Sequence, residues 1–321
     1  MHSIKHLFTI IEKEINNLEY SKNPKSLYEP ISYIMTLGGK RMRSILLLLS
    51  NQIFSDNINT AIKPALGIEV FHNFTLIHDD IMDNAPLRRG KETIHEKWDQ
   101  NTAILSGDTM LIQSYLLMLQ SPDLYLKKVL SLFSETAIKV CEGQQYDMDF
   151  ENDEEVSILD YINMIENKTA VLLASSLKIG AIIGGANEKD AQSLYEFGKN
   201  IGIAFQIKDD LLDAYGDPNK FGKKIGGDID ENKKTILFLQ ALSSSNYSDR
   251  KILLDLYNPT VHSKNKKSAV MSIFDKYDIY EQTNNQVLAF HKLALEHLES
   301  VKKKNKEPLY DFANQLLKRE V

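Results

Sequence analysis

Two stretches of the sequence, FHNFTLIHDDIMD at residues 71–83 and IAFQIKDDLLD at residues 203–213, follow the same pattern. Each is an apolar segment with helical spacing that closes on two adjacent aspartates and, after two apolar residues, a third. Residues four apart lie on the same face of a helix, so Asp79 is paired with Asp83 and Asp209 with Asp213. Like charges at this spacing repel each other and destabilise a helix unless a cation lies between them. The pattern therefore predicts two helices that bind cations near their ends.

The remainder of the chain favours helices as well. Its 321 residues include only 8 prolines and 15 glycines, and between these the apolar residues recur at intervals of three and four. Alternating segments typical of strands are rare. We therefore expect an all-α fold, a bundle of roughly ten or more helices. Because no segment is long or biased enough to be a linker, we expect one domain over residues 1–321.

Composition and charge exclude several classes of protein. With 43% hydrophobic and 26% charged residues, the chain resembles ordinary soluble globular proteins. The single cysteine, Cys141, excludes a disulfide framework and favours a cytoplasmic location. No apolar run reaches about 18 residues, so no membrane span is expected. The net charge of −6 argues against a nucleic-acid partner.

The two acidic clusters combine with basic segments in a way that suits phosphate chemistry. Carboxylate oxygens are ligands that Mg²⁺ prefers, and Mg²⁺ usually binds one or two of them together with substrate phosphate oxygens. Basic residues follow each cluster, and a third basic segment, GGKRMR at residues 38–43, opens an apolar helix. The N–H groups and dipole of that helix would add to the basic side chains. Two clusters facing each other would hold a diphosphate through bridging magnesium ions, although a solvated helix end is the alternative for either cluster alone.

Taken together, these segments resemble the trans-isoprenyl diphosphate synthases, or polyprenyl synthetases, of the short-chain farnesyl and geranylgeranyl type. The motifs occur in the family's order: GGKRMR, HNFTLIHDDIMD, the RRG of residues 88–90, Gly107-Asp108, Glu142-Gly143-Gln144, Lys168-Thr169, FQIKDDLLD, and GKKIGGDIDENKKT at residues 222–235. The resemblance implies the isoprenoid synthase fold, with helices around a deep central cavity, and a homodimer. It also implies a prenyltransferase that joins isopentenyl diphosphate head-to-tail to an allylic diphosphate, with three Mg²⁺ ions in each active site.

The resemblance also implies roles for individual residues at matching positions. The metal ligands are Asp79, Asp83 and Asp209, whereas Asp80, Asp210 and Asp213 have outer-sphere or orienting roles. The residues that contact the allylic diphosphate are Arg88, Lys168 and Lys223, with Lys233 at the rim. The residues that hold isopentenyl diphosphate without metal are Lys40, Arg43, His72 and Arg89. Thr169 and Gln206 direct oxygen dipoles towards the carbocation and, with Lys168, form the catalytic set.

Product length is predicted from the residues that precede the first aspartate cluster. At about 1.5 Å per helical residue, Phe74 lies roughly 7–8 Å below Asp79, and Phe71 roughly 12 Å below it. Bulky rings at this depth leave room for a few isoprene units, whereas Thr75 is small and more permissive. The expected product is therefore C15 to C20, with C20 favoured. The alternatives are that Phe74 faces the helix-bundle core and that the product is longer.

Two other classes of protein share part of this pattern. A class I terpene cyclase also ionises an allylic diphosphate with Mg²⁺, but it has no need of Lys40, Arg43 and Arg89 for a second diphosphate. Its second metal motif also differs from the DDLLD of residues 209–213. A silent regulatory subunit is expected to have lost one aspartate cluster, and both are present here.

Overall fold

The structure, a computed structural model, describes residues 2–20, 22–153, 155–216, 226–258, 260–261, 263, 265–303 and 305–318. Nearly all regular structure in these residues is helical, which confirms the predicted all-α fold of more than ten helices. The helices are α1 (Ile4–Asn16), α2 (Lys25–Thr36), α3 (Met42–Phe54), α4 (Asn59–Met82), α5 (Ile94–Lys97), α6 (Gln100–Met118), α7 (Asp123–Asn152), α8 (Ile158–Ile165), α9 (Val171–Ile183), α10 (Glu188–Tyr215), α11 (Gly227–Asp230), α12 (Ile236–Ser244), α13 (Tyr247–Leu256), α14 (Lys266–Lys276), α15 (Ile279–Ser300) and α16 (Glu307–Leu317). A π-helical turn, Glu166–Ala170, joins α8 to α9.

Helices begin and end where the local sequence provides caps and breaks. The side chains of Ser3, Asp99 and Asn246 each accept a hydrogen bond from the backbone N–H three residues later. Ser157 does the same and forms a full capping box with Asp160. These are the polar residues expected at helix N-termini, where the first N–H groups have no partner within the helix.

One small departure from the all-helical expectation follows the first aspartate cluster. Strands β1 (Leu87–Arg88) and β2 (Lys91–Glu92) form a two-residue antiparallel hairpin. Its two turn residues, Arg89 and Gly90, both have positive φ, at 55° and 74°. This is the type I′ geometry whose twist matches the flanking strands, and glycine adopts it without strain. The hairpin fixes the directions in which the side chains of Arg88 and Arg89 project from the backbone.

The described residues form two compact units, each made of three separate segments of the chain. Unit 1 comprises Met1–Thr136, Ser175–Tyr195 and Val301–Leu309. Unit 2 comprises Ala137–Ala174, Glu196–Ser300 and Tyr310–Val321. The single domain expected over residues 1–321 stays a prediction. Among the described helices, none combines the length and the apolar character that crossing a membrane would require.

The core of unit 1 is built around α3 and the pair formed by α4 and α6. Residues Ile45 to Leu49 of α3 are fully buried, as their continuous apolar run predicts. Helices α4 and α6 come close together at two glycines, Gly67 and Gly107. A Cβ atom on Gly67 would lie 3.1 Å from the carbonyl oxygen of Ser114, and one on Gly107 would overlap the His78 ring. The lack of a side chain at both positions therefore allows the close distance between α6 and α4, the helix that carries the first aspartate cluster.

Candidate functional site

The first aspartate cluster occupies the last turn of α4, as the sequence predicts. Asp79 is half-buried and Asp83 is exposed, whereas Asp80 is buried. Arg88 donates to Asp80 Oδ1 from Nε, at 2.9 Å, and also from Nη2. Burial raises the pKa of Asp80, and the hydrogen bonds and charge of Arg88 oppose that rise. Asp80 therefore orients Arg88, while Asp79 and Asp83 lie one helical turn apart.

A cluster of basic side chains lies in unit 1 around His72, two turns before the aspartates on α4. Arg43 Nη1 is 3.1 Å from His72 Nε2. Because arginine only donates hydrogen bonds, Nε2 accepts and the ring proton is on Nδ1. Burial, together with the charges of Arg43, Arg89, Arg88 and Arg41, holds the pKa of His72 well below its usual value of 6.5. The structure thus brings a neutral imidazole and several guanidinium groups together.

Arg89 reaches this cluster across the segment that precedes α3. Its Nη1 donates to the carbonyl oxygen of Gly38, and its guanidinium lies against Gly39. A Cβ atom on Gly39 would be 3.0 Å from Arg89 Nη2, and the φ of 144° at Gly39 also disfavours a side chain. Lys40, next in the chain, is exposed. Three of the four residues predicted to hold isopentenyl diphosphate, Arg43, His72 and Arg89, are therefore close together.

Two of the three predicted chain-length residues, Phe71 and Phe74, belong to a column of aromatic rings in unit 1. The Phe74 ring lies 4.8 Å from His78 and 5.5 Å from Phe71, between ring centroids. Phe71 in turn contacts Phe133 of α7 at 5.2 Å. Phe71 and Phe133 are almost completely buried, and Phe74 is 7% exposed. Thr75 is half-buried and its hydroxyl donates to the carbonyl oxygen of His72 at 2.8 Å.

The predicted catalytic residues of unit 2 lie on and beside the π-helical turn. Lys168 Nζ donates to Asp147 of α7, and Thr169 Oγ1 is 3.4 Å from Gln206 Oε1 of α10. Two glycines allow this close packing: a Cβ atom on Gly143 would overlap the backbone of Lys168, and one on Gly202 would lie 2.7 Å from Ala170. π-Helical turns are rare and often mark functional sites, because the wider turn leaves backbone groups out of the regular hydrogen-bond pattern.

The second aspartate cluster is held by hydrogen bonds within unit 2. Asp210 is buried; one of its oxygens accepts the hydroxyl proton of Tyr161, and the other accepts from Gln206 Nε2 at 3.2 Å. Burial and the nearby charge of Asp228 raise the pKa of Asp210 well above its usual value. Asp213 Oδ2 accepts from the backbone N–H of Asp228 at 3.0 Å. Asp210 and Asp213 are thus each fixed by hydrogen bonds, and Asp209 is half-buried. The orienting roles of Asp210 and Asp213 stay predictions.

Two basic residues were predicted after the second aspartate cluster. Lys223 lies outside the described residues. Lys233 forms ion pairs with Glu231 at 2.9 Å and with Asp228 at 3.9 Å. Its neighbour Lys234 donates to the carbonyl oxygens of Phe150 and Glu151 at the C-terminus of α7, which is a favourable position for a cation.

The donor set at both clusters is suited to magnesium. Among the described residues, no group of three or more histidine, cysteine, aspartate or glutamate side chains is arranged to hold a metal ion by itself. Mg²⁺ does not require such a group, because it binds through one or two carboxylates and completes its shell with water and phosphate oxygens. Asp79 with Asp83, and Asp209, are carboxylates of this kind.

Comparison with known proteins identifies the chain. The family model of the polyprenyl synthetases matches residues 24–274. The chain belongs to this family. The geranylgeranyl diphosphate synthase of Sulfolobus acidocaldarius is 35% identical over 315 residues, covering 96% of this chain and 95% of the relative. A solved structure of a geranylgeranyl pyrophosphate synthase is 41% identical, with a TM-score of 0.93 and full coverage of both chains. The geranylfarnesyl diphosphate synthase of Natronomonas pharaonis is 37% identical over 250 residues, covering 72% of this chain and 73% of the relative.

These similarities confirm two predictions made from the sequence. The polyprenyl synthetase has the all-α isoprenoid synthase fold, and it is a prenyltransferase of the short-chain trans type.

Three residues at the two sites were not assigned a role from the sequence. Arg41 and Glu69 are buried beside the basic cluster, and Tyr161 binds Asp210. Glu69 had a visible signal, because it interrupts the apolar run LGIEVF at residues 66–71. A charged residue at a position that the helical spacing buries requires a partner.

Proposed function

We propose that this polyprenyl synthetase condenses isopentenyl diphosphate head-to-tail with an allylic diphosphate, using Mg²⁺, and releases an all-trans product of C15 to C20. The observation that supports the proposal most strongly is the arrangement of α4. This helix carries the carboxylates Asp79 and Asp83 at its end and, two turns earlier, His72 in contact with Arg43. Two kinds of anion site on one helix suit an enzyme with two diphosphate substrates. A terpene cyclase, which ionises a single diphosphate, has no use for the second.

The two sites would divide the chemistry between them. The C–O bond of the allylic diphosphate breaks and the electron pair leaves with pyrophosphate, so this diphosphate requires charge compensation as it departs. When bound at Asp79, Asp83 and Asp209, Mg²⁺ supplies that compensation as a Lewis acid. Arg88, Lys168, Lys223 and Lys233 add cationic donors to the same diphosphate. Isopentenyl diphosphate keeps its diphosphate, which Lys40, Arg43, His72 and Arg89 would bind directly.

The bond-forming step then needs groups that face a carbocation rather than an anion. The double bond of isopentenyl diphosphate attacks the allylic carbon, and the new carbon–carbon bond leaves a tertiary cation that loses a proton to the released pyrophosphate. The oxygens of Thr169 and Gln206, together on the π-helical turn and α10, would stabilise positive charge on the allylic carbon. Asp210 keeps Gln206 in place through its amide nitrogen.

A C20 product is favoured over shorter and longer ones. Phe74 and Phe71 lie beneath the aspartates on α4, and Phe133 extends their aromatic column. Rings in this position would stop a growing chain after a few isoprene units. Relatives named for geranylgeranyl diphosphate are consistent with this length, while the relative named for geranylfarnesyl diphosphate makes a C25 product the main alternative.

A homodimer is proposed from the surface of α6. Three large apolar side chains on this helix, Leu105, Ile112 and Leu116, and that of Leu119, its C-cap residue, are between 49% and 61% exposed. Their spacing of seven, four and three residues places them on one face, and an apolar face of this kind is typical of a protein interface. We also propose a cytoplasmic location, on the basis of the single cysteine. The chain is proposed to be one catalytic domain, since each compact unit is assembled from three separate segments.

The test is a product analysis of the purified protein. Isopentenyl diphosphate is supplied with dimethylallyl, geranyl or farnesyl diphosphate, with Mg²⁺ or with EDTA, and the products are separated by chain length. The proposal predicts a linear C15 to C20 diphosphate that forms only with Mg²⁺. Cyclic hydrocarbon from one allylic diphosphate would indicate a cyclase, and products beyond C30 would contradict the role of Phe74. A folded protein without turnover would indicate a silent subunit.

A further inference from the structure

Arg41 lies within the basic GGKRMR segment, but its guanidinium binds buried acceptors and takes no part in the Arg43–His72 contact. It is the residue before α3, and its φ of 50° is in the left-handed region that residues other than glycine rarely adopt. This backbone conformation directs its side chain inward, where only 1% of it is exposed. The neighbouring Lys40 is exposed. The adjacent cations Lys40 and Arg41 therefore have different environments, and of these two only Lys40 is accessible to a ligand.

The buried guanidinium of Arg41 is bound by three acceptors from three elements. Nε donates to Glu12 Oε1 of α1 at 2.6 Å, and Nη1 donates to Glu69 Oε1 of α4 at 3.0 Å. Nη2 donates to the carbonyl oxygen of Met35, in α2, at 2.7 Å. A buried charge requires this degree of compensation, and the planar fork of arginine can bind several fixed acceptors simultaneously. Arg41 thereby connects α1, α2 and α4 at the start of α3.

Glu69 extends these contacts to the residues next to the basic cluster. Ser44 Oγ lies 3.0 Å from Glu69 Oε2, and Asn73 Nδ2 donates to the Glu69 carbonyl oxygen at 2.8 Å. In sequence, Arg41 and Ser44 lie on either side of Arg43, and Glu69 and Asn73 lie on either side of His72. The buried network therefore fixes the two backbone segments from which Arg43 and His72 meet.

The charge of Glu69 also acts on the cluster itself. Burial lowers the pKa of the Arg43 guanidinium, and the negative charge of Glu69 opposes this. The same carboxylate opposes the lowering of the Arg89 pKa, which burial and the charge of Arg41 cause. Because the charge of one buried carboxylate acts on Arg41, Arg43 and Arg89, these three cations can stay close together before an anionic ligand arrives.

We propose that Arg41 and Glu69 are positioning residues for the isopentenyl diphosphate subsite and do not contact the substrate. Their ion pair holds Arg43 against His72 and neutralises part of the surrounding positive charge. The inference rests on the proposed function, because it assigns the Arg43–His72–Arg89 cluster to isopentenyl diphosphate. It predicts that loss of the Arg41–Glu69 ion pair weakens the binding of isopentenyl diphosphate and leaves the binding of the allylic diphosphate unchanged.

The test compares Glu69→Gln with Glu14→Gln. Glu14 is the matched control, because it forms a half-buried ion pair with Lys63 at 3.1 Å that also joins α1 to α4. For Glu69→Gln we expect KM for isopentenyl diphosphate to rise about tenfold, with kcat and the allylic KM within about twofold, the signature of lost uniform binding. Glu14→Gln should leave all three parameters unchanged. Arg41→Lys should repeat the Glu69→Gln pattern, since one ammonium group cannot bind three separated acceptors.

Further measurements separate the possible failures. Calorimetric titration of isopentenyl diphosphate in EDTA reports on the subsite without requiring turnover. Equal changes in both KM values, or unchanged binding of isopentenyl diphosphate, would overturn the positioning role. Absence of condensation and of isopentenyl diphosphate binding in the unaltered protein would instead overturn the proposed function. If Glu69→Gln does not fold, Ser44→Ala, which removes one donor to Glu69, is judged by the same criterion, with a smaller shift expected.

Discussion

Removing the hydroxyl group of Tyr161 tests how unit 2 holds the second aspartate cluster. Tyr161 donates to Asp210, which is only 6% exposed, and the other oxygen of Asp210 accepts from Gln206 at 3.2 Å. In Tyr161→Phe, one oxygen of a buried carboxyl group loses its donor, and water has little access to replace it. Loss of one partner of a buried hydrogen bond costs about 1–3 kcal/mol. We therefore expect the free energy of unfolding to fall by about this amount.

The same substitution should slow catalysis. Asp210 holds the amide nitrogen of Gln206, and the amide oxygen of Gln206 lies 3.4 Å from the Thr169 hydroxyl. A less constrained Asp210 would allow Gln206 to turn away from the carbocation. A loss of about 1.4 kcal/mol in transition-state stabilisation corresponds to a roughly tenfold lower kcat. Both KM values should change little.

Urea unfolding and steady-state kinetics of Tyr161→Phe measure both effects. Tyr146→Phe is the matched control, because Tyr146 lies in the same unit and is 42% exposed. The control should match the unaltered protein in both assays. Surface substitutions usually change the free energy of unfolding by no more than about 0.5 kcal/mol. If Tyr161→Phe stays within that range of the unaltered protein and its kcat is unchanged, the reasoning is refuted.

Three further predictions follow from unit 1. Phe74→Ala should lengthen the product by at least one isoprene unit, because it removes a ring from the aromatic column; chromatography of the product showing an unchanged length would contradict this. Gly107→Ala should destabilise the protein, because the added Cβ atom would overlap the His78 ring. A thermal unfolding midpoint equal to that of the unaltered protein would contradict this close contact. His72 has a lowered pKa when folded, so the unfolded chain binds more protons and stability falls as the pH drops below 6.5 towards the folded value. Urea unfolding at pH 7.5 and at pH 5.0 gives the unfolding free energy lost between these two values. This loss should be smaller in His72→Gln than in the unaltered protein, and an equal loss would exclude the contribution of His72.

The sequence predicts the helices well because their signals are local. Glycine and proline at breaks such as Gly38-Gly39 and Gly184-Gly185 stop a helix regardless of what packs on it. The pairing of Asp79 with Asp83 is equally local, since helical spacing alone places them on one face.

Contacts between distant segments could not be predicted in this way. Asp147 binds Lys168 from 21 residues away, and Tyr161 binds Asp210 from 49 residues away, so packing decides both pairs. Charge and helical pattern do not distinguish Arg41 from Arg43 within one basic segment, and only the family resemblance gave Arg43 a role. The left-handed backbone of Arg41 separates them, and its stabilisation depends on acceptors from three other helices.

The central claim is that the two diphosphates are bound differently, one by cationic side chains and the other through magnesium. The most direct test is calorimetric titration of the unaltered protein with isopentenyl diphosphate and, separately, with an unreactive thiolodiphosphate analogue of the allylic substrate. We expect isopentenyl diphosphate to bind in EDTA with a Kd within about threefold of that in Mg²⁺, since Arg43, His72 and Arg89 are proposed to bind it directly. The allylic analogue should bind only with Mg²⁺. Loss of isopentenyl diphosphate binding in EDTA, or metal-independent binding of the analogue, would contradict the account.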